Sequence, residues 1–313
     1  DSVCEWAAKP WWNYGVDMSK PGAQDYYDGL VGKYAAMGID FIKFDDIVPH
    51  PPEIDAVVKA IGRSGRNIAL SLSPGDTIEV EHSEAYKQAE MVRITSDIWD
   101  NRRSLDLAFE RWEDMQAYTG PETGSFLDLD MVCFGHLYLT RDGGWQCRFT
   151  EDQKRTFMVQ RALAASPIVL GGVLYTMDPF SLSLFKDANL LACNQNGVIG
   201  KLAFRDGKLD VWRTPEQGRT GCGWIGVFNR AEQGMLPATL TTRNLGLENG
   251  ALYTLTDLWT GEILPFDGVL KLAIPADGVT FLRYEKLSLA TRQQRTGNRF
   301  SGTDAQNPWN ARD

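Results

Sequence analysis

The sequence predicts an α/β protein, a partial (β/α)8 TIM barrel continued by an all-β antiparallel sandwich. Three observations carry that prediction. Short apolar runs alternate with amphipathic stretches through the first half of the chain. The apolar runs recur about 25–40 residues apart, which is the spacing of parallel βαβ units. Beyond Asn196 the texture changes to short alternating runs separated by Gly, Asn and Asp, as in a β-sandwich.

The elements follow in order. Residues 22–37 read as a helix, with Tyr26, Leu30, Tyr34 and Met37 at spacings of three and four. Residues 38–44 make the first strand, and a second helix begins after Pro51-Pro52 and runs to Arg63. Residues 67–73 form the second strand, closed by Pro74-Gly75. A helix is expected over 83–90, a third strand over 91–95, a helix over 105–118 and a fourth strand over 125–130. Thr150-Glu-Asp-Gln153 matches a capping box, because Thr bonds forward and Gln bonds back to otherwise free N–H groups. The helix it opens runs to about Ala165. Residues 166–170 read as a fifth strand and 178–193 as a further helix. An eight-unit barrel takes about 250 residues, so these units leave the barrel about three short, on the N-terminal side. Sandwich strands are expected at 208–212, 223–228, 251–255, 269–274 and 280–284. The domain reading is a barrel portion over 1–196, a sandwich over 197–286 and a polar tail over 287–313.

Composition excludes several functions. The 313 residues, 43% hydrophobic and 23% charged, are those of a folded soluble protein. A formal charge of −9 with no Lys/Arg cluster argues against nucleic acid as a partner. No apolar run approaches the roughly 20 residues of a membrane helix. The five cysteines include no C-x-x-C and read as structural or incidental thiols, and His50, His82 and His136 share no metal-ligand spacing. The chain opens Asp1-Ser-Val-Cys without an initiator Met or a basic leader, which reads as an internal point in a longer protein and leaves its compartment open.

Carboxylates collect at predicted strand ends. Lys43, Asp45 and Asp46 end the first strand; Arg93, Asp97 and Asp100 follow the third; Asp128 and Asp130 end the fourth. In parallel βα architectures the C-terminal strand ends carry the active site. Two chemistries use such a ring: a divalent metal among the oxygens, or two carboxylates flanking a glycosidic bond. Lys43 and Arg93 favour the second, since they repel a metal, hold a neighbouring Asp ionised and donate to sugar hydroxyls. Trp6, Trp11, Trp12 and Trp99 supply aromatics suited to sugar faces. Successive strand residues point to opposite faces, so only one of Asp45 and Asp46 enters the pocket.

These residues resemble glycoside hydrolase family 27, the α-galactosidases and α-N-acetylgalactosaminidases. GIDFIKFDD (38–46) resembles its nucleophile strand and VRITSDIWD (92–100) its acid/base segment. LDLDMV (127–132) is similar to its Asp-Pro-Asp-Met motif, with Leu129 where Pro is usual. ACNQNGVIGK (192–201), VWRTP (211–215) and GVFNR (226–230) resemble its passage into a C-terminal β-domain. The resemblance implies a retaining, exo-acting hydrolase that removes terminal α-D-galactose or α-N-acetylgalactosamine from an oligosaccharide or glycoconjugate. Asp45 would be the nucleophile and Asp97 the general acid/base, with Asp46 orienting the following loop. Lys43, Arg93 and Asp130 would bind sugar hydroxyls. Ser73 and Gly75 would stand near a larger acidic residue of galactose-specific members and leave room for a 2-acetamido group. The family's other activities, including arabinopyranosidase, keep a β-L-pyranoside open as substrate. No cofactor or metal is implied. The family's first three strands, with an aspartate pair and a tryptophan that grip the sugar, would precede residue 1. The resemblance therefore implies weak or absent hydrolysis by residues 1–313 alone. The alternatives are a catalytically inactive carbohydrate-binding remnant and a metal-dependent barrel enzyme.

Overall fold

The computed structural model describes residues 3–4, 14–45, 50–74, 78–118, 120, 124–140 and 143–287. A short antiparallel pair, β1 (Val3–Cys4) and β2 (Gly15–Val16), precedes the main α/β layer. That layer runs α1 (Ala23–Ala36), β3 (Phe41–Asp45), α2 (Pro51–Arg63), β4 (Ala69–Ser73), α3 (Ser83–Tyr86), β5 (Met91–Arg93), α4 (Arg102–Met115) and β6 (Phe126–Asp128). Its four strands form one parallel sheet in the order β3-β4-β5-β6. Ile42, Phe44, Leu70, Leu72, Val92 and Leu127 turn to the helices and join the main core. The alternate residues face the other way, as strand periodicity demands.

The expected elements appear, with corrections. Helix α1 buries Ala23, Tyr27 and Val31, one residue round from the predicted face, and Tyr26 and Met37 are exposed. The reason is polar: Tyr27 Oη donates to the buried Glu53 at 2.7 Å, and Val16 N–H donates to the same carboxylate at 2.6 Å. The helix expected over 83–90 shrinks to a 3₁₀ turn (Val80–His82) and the single turn α3. The fifth strand is a single parallel bridge, Val132 to Leu170. Pro167 has no N–H to extend a ladder, and the opposing chain is kinked at Asp130 by a left-handed φ of 64°.

A hairpin and three α-helices follow β6. The hairpin of β7 (His136–Thr140) and β8 (Gly143–Gln146) was not expected from the sequence pattern. Helix α5 (Glu151–Leu163) carries the full capping box at Thr150 and Gln153. The stretch 178–193 is two helices, α6 (Pro179–Lys186) and α7 (Ala188–Gln195). Asp187 separates them, and its carboxylate accepts from Asn189 N–H and Leu190 N–H.

The C-terminal part is antiparallel. Strands β9 (Lys201–Asp206), β10 (Leu209–Pro215), β11 (Cys222–Asn229), β12 (Leu236–Thr241), β13 (Tyr253–Asp257), β14 (Ile263–Leu264), β15 (Val269–Ile274) and β16 (Val279–Lys286) form two sheets, ordered β14-β13-β16-β11-β10-β9 and β12-β15. Val211, Ile225 and Val227 of the first share a core with Leu240, Leu270 and Ile274 of the second. The other face of the large sheet docks on the α/β layer. Trp112 stacks on Trp212 with ring centroids 3.7 Å apart, and Phe228 and Phe281 enter the main core.

Candidate active site

Register places the polar groups in rows. Cα pairing aligns Lys43 with Ser71, Ser71 with Met91 and Met91 with Phe126. Two residues further along, it pairs Asp45 with Ser73 and Arg93 with Asp128. In a parallel sheet, paired residues share a face. Asp45, Ser73, Arg93 and Asp128 therefore form one row along the C-terminal edge of the sheet, on the face away from the helices.

The charges in this row are tied together. Lys43 Nζ lies 3.8 Å from Asp45 Oδ1. Arg93 Nη1 donates to Asp97 Oδ1 at 2.9 Å and lies 3.6 Å from Asp130 Oδ1. Burial pulls the Arg93 guanidinium down, but the charges of Asp130, Asp97 and Asp45 and the Asp97 hydrogen bond outweigh it and hold it above its ordinary value. Exposure divides the carboxylates. The side chains of Asp45 and Asp97 are 61% and 65% exposed, against 13% for Asp130. Among these three, Asp45 and Asp97 are thus the carboxylates that an incoming molecule can reach.

Asp128 is buried instead. Burial first, and the charge of Asp130 second, push its carboxyl up to about 6. Its Oδ1 accepts from Asp130 N–H at 2.7 Å. Asp130 Oδ2 in turn accepts from Ile98 N–H at 2.8 Å. Behind this turn lies Arg161, wholly buried in α5, whose Nη2 donates to Leu129 O at 2.6 Å. Burial lowers the Arg161 guanidinium to about 10, so it stays charged at neutral pH.

The loop after β5 is anchored at its far end as well. Asn101 caps α4 through Ser104 N–H. Asp100 accepts from Trp145 Nε1 at 2.9 Å and from Arg148 N–H at 2.7 Å, which fastens the β7–β8 hairpin to this loop. Asp100 is thus a structural acceptor, and Trp99 packs against Trp145 at 5.5 Å.

Most residues picked from the sequence meet here. Lys43, Ser73, Arg93, Asp97 and Asp130 share the C-terminal edge with Asp45. Gly75 and Asp46 lie outside the described residues, as do Trp6, Trp11 and Trp12. The Ser73 side chain is 2% exposed as a residue, and its hydroxyl, like that of Thr95, has no hydrogen-bond partner among the described residues. Sequence reading missed Arg161 and Ser166. A helical arginine normally reads as a solvated charge, and nothing in a serine before proline marks it as an acceptor for the Leu129 N–H. Among the described residues, no group of three or more His, Cys, Asp or Glu is arranged to hold a metal ion, and no helix is long and apolar enough to cross a membrane.

A parallel βα sheet with carboxylates and cations along its C-terminal edge, docked on an antiparallel sandwich, has the form of part of a (β/α) barrel seen at the edge where barrel active sites lie. Residues 13–196 match the family model described as alpha galactosidase A, and residues 206–284 match the alpha galactosidase C-terminal beta sandwich domain. The chain belongs to the alpha-galactosidase family, glycoside hydrolase family 27. Among solved structures it is similar to a family 27 β-L-arabinopyranosidase from Geobacillus stearothermophilus, in complex with arabinose. That likeness has a TM-score of 0.80 and 31% identity, over 92% of this chain and 67% of the other. A putative α-N-acetylgalactosaminidase from Bacillus halodurans is similar at a TM-score of 0.73 and 30% identity, over 91% of this chain and 66% of the other. Alpha-galactosidase 2 of Arabidopsis thaliana is 28% identical over 77% of this chain. The chain spans 58–59% of the length of the first curated relatives it matches.

Proposed function

We propose that this chain carries the nucleophile and acid/base walls of a retaining exo-glycosidase acting on α-galactoside-type linkages. The observation that carries the proposal is the alignment of Asp45, Ser73 and Arg93 in one row, with Asp97 tied to Arg93. Asp45 attacks the anomeric carbon while Asp97 protonates the departing oxygen, giving a covalent glycosyl-enzyme. Asp97 then takes a proton from water, and that water displaces Asp45 with net retention. Such chemistry needs the two carboxyl groups about 5–5.5 Å apart. Lys43 stands beside Asp45 and Arg93 beside Asp97, both placed to donate to sugar hydroxyls, and Asp130 adds a carboxylate at the same wall.

The glycone is α-D-galactose or its 2-acetamido derivative. The small Ser73, paired with Asp45 in this row, keeps bulk away from that side of the sugar. A second reading is a β-L-arabinopyranoside, which has the galactose ring stereochemistry without the hydroxymethyl arm. The likeness to the Geobacillus enzyme favours it.

The test uses the full-length protein. Asp45→Asn should remove turnover of an aryl α-galactoside. Azide should rescue Asp45→Gly with inversion, giving the β-galactosyl azide. It should rescue Asp97→Gly with retention, giving the α-azide. Wild-type rates in Asp45→Asn, or the same azide anomer from both variants, would overturn the assignment. Parallel assays on aryl α-N-acetylgalactosaminide and β-L-arabinopyranoside decide the glycone.

A further inference from the structure

The Asp128–Leu129–Asp130 turn has almost every polar group committed. Leu129 N–H donates to Ser166 Oγ at 2.9 Å, and Leu129 O accepts from Arg161 at 2.6 Å. Asp130 N–H donates to Asp128 Oδ1 at 2.7 Å, and Ile94 N–H donates to Asp128 O at 3.0 Å. These bonds hold Asp130 in its left-handed conformation, φ 64°, which L residues other than Asn and Asp rarely adopt. The conformation turns the Asp130 carboxylate across to β5's loop. There Oδ2 accepts from Ile98 N–H at 2.8 Å and Oδ1 lies 3.6 Å from Arg93.

Ile98 is the neighbour of Asp97, and the same Arg93 nitrogen that faces Asp130 donates to Asp97. Asp130 therefore grips the loop on both sides of the exposed carboxylate, once through the backbone and once through the guanidinium. We propose that Asp130 is a positioning residue for Asp97: it fixes the loop that aims the acid/base carboxyl at the leaving-group oxygen. The buried Arg161 and Ser166 hold Asp130's turn from behind. This inference rests on the glycosidase reading above. It assigns Asp130 a role on the leaving-group side of the reaction, in addition to any contact with the sugar.

Leaving-group dependence separates the two roles. A group that serves general acid catalysis matters when the departing oxygen needs a proton, and little when it leaves as a stable phenolate. In the full-length protein, Asp130→Ala should lower kcat/KM on an unactivated α-galactoside disaccharide by about 100-fold or more, and on a dinitrophenyl glycoside by less than about tenfold. Asp130→Asn keeps an oxygen that can accept from Ile98 N–H, and should lie closer to wild type on the disaccharide. Equal losses on both glycosides would overturn the proposal and make Asp130 a sugar contact alone. Hydrogen exchange on residues 1–313 reads the grip without any turnover. Exchange at the Ile98 amide should speed up by about tenfold or more in Asp130→Ala and stay slow in Asp130→Asn. An Ile98 amide indifferent to Asp130→Ala also overturns the proposal. A wild-type enzyme that cleaves neither glycoside overturns the glycosidase reading instead, and the exchange result then decides whether Asp130 holds the loop.

Discussion

Asp128 stands in the same row as Asp45 and Arg93 but meets a different environment, and the difference is testable by pH. Its residue is 6% exposed, and burial together with the nearby Asp130 raises its carboxyl from 3.8 to about 6. Arg161 and Arg93 pull the other way and lose. The folded state therefore holds the Asp128 proton more tightly than the unfolded chain does. The stability this contributes is fully present below about pH 4 and is lost as pH rises through about 6. Asp128→Asn should gain on the wild type by on the order of 3 kcal/mol between pH 4 and pH 7, read from urea unfolding at each pH. A difference that stays constant with pH would show that Asp128 does not titrate in that window. Burial acts the same way on two thiols: it pushes Cys133 up to about 12 and raises Cys193 well above the ordinary range, which makes both poor nucleophiles.

At the scale of elements, helix α5 is where local chemistry and tertiary contact can be told apart. Its start is written in the sequence. Thr150 Oγ1 accepts from Gln153 N–H at 3.2 Å, and Gln153 Oε1 accepts from Thr150 N–H at 3.0 Å. Gln153 also donates to Asp277 of the β-domain at 2.9 Å. Thr150→Ala should cost about 1 kcal/mol in chemical denaturation, and Thr150→Ser should recover most of it. A loss well beyond that would mean the cap holds the Asp277 contact as well as the helix end. Other elements were not legible locally. The apolar run at 166–170 looks like a buried strand, yet Val169 and Leu170 are 49% and 40% exposed, because the ladder they would join is interrupted at Pro167 and Asp130. The β7–β8 hairpin owes its place to Trp145 reaching Asp100, a contact across 45 positions that no periodicity signals. The face of α1 was misread because a buried tyrosine–glutamate hydrogen bond outranks one more apolar contact.

Across the whole molecule, two features stand out. The two parts are joined by a charged network over an aromatic core. Asp210, whose side chain is 1% exposed, takes Arg205 at 2.6 Å and Arg230 at 3.2 Å. Arg230 also reaches Asp106 at 2.9 Å, while Arg102 binds Asp106 at 2.8 Å and pairs with Asp277. Asp106 is held below the usual carboxylate range: burial opposes this, but Arg102 and Arg230 prevail. At the other side of the α/β layer, β3 ends the sheet among the described residues, and Phe41, Lys43 and Asp45 on its inner face are exposed. A pocket built on that face needs a wall beyond β3. Residues 1–313 alone should therefore show weak or no hydrolysis of an aryl α-galactoside in a steady-state assay, and turnover at the level of whole α-galactosidases would contradict this.

The sequence by itself determined the βα alternation, the change to antiparallel strands beyond Asn196, the capping box of α5 and the carboxylates at successive strand ends. These are local properties, set by side-chain period, turn chemistry and the position of charge at the end of an apolar run. Tertiary structure alone decided which carboxylates stay in solvent and which are buried. Asp45 and Asp97 are open while Asp128 is not, because its Oδ1 is committed to the Asp130 N–H and the chain closes over it. Tertiary structure also decided where Asp130 points. Its direction follows from a left-handed turn fixed by Ser166 and Arg161, residues more than 30 positions away whose partners no sequence pattern names. Strand order can be read from spacing, but the hold of Asp130 on the loop after β5 depends on hydrogen bonds between segments that only the folded chain brings together.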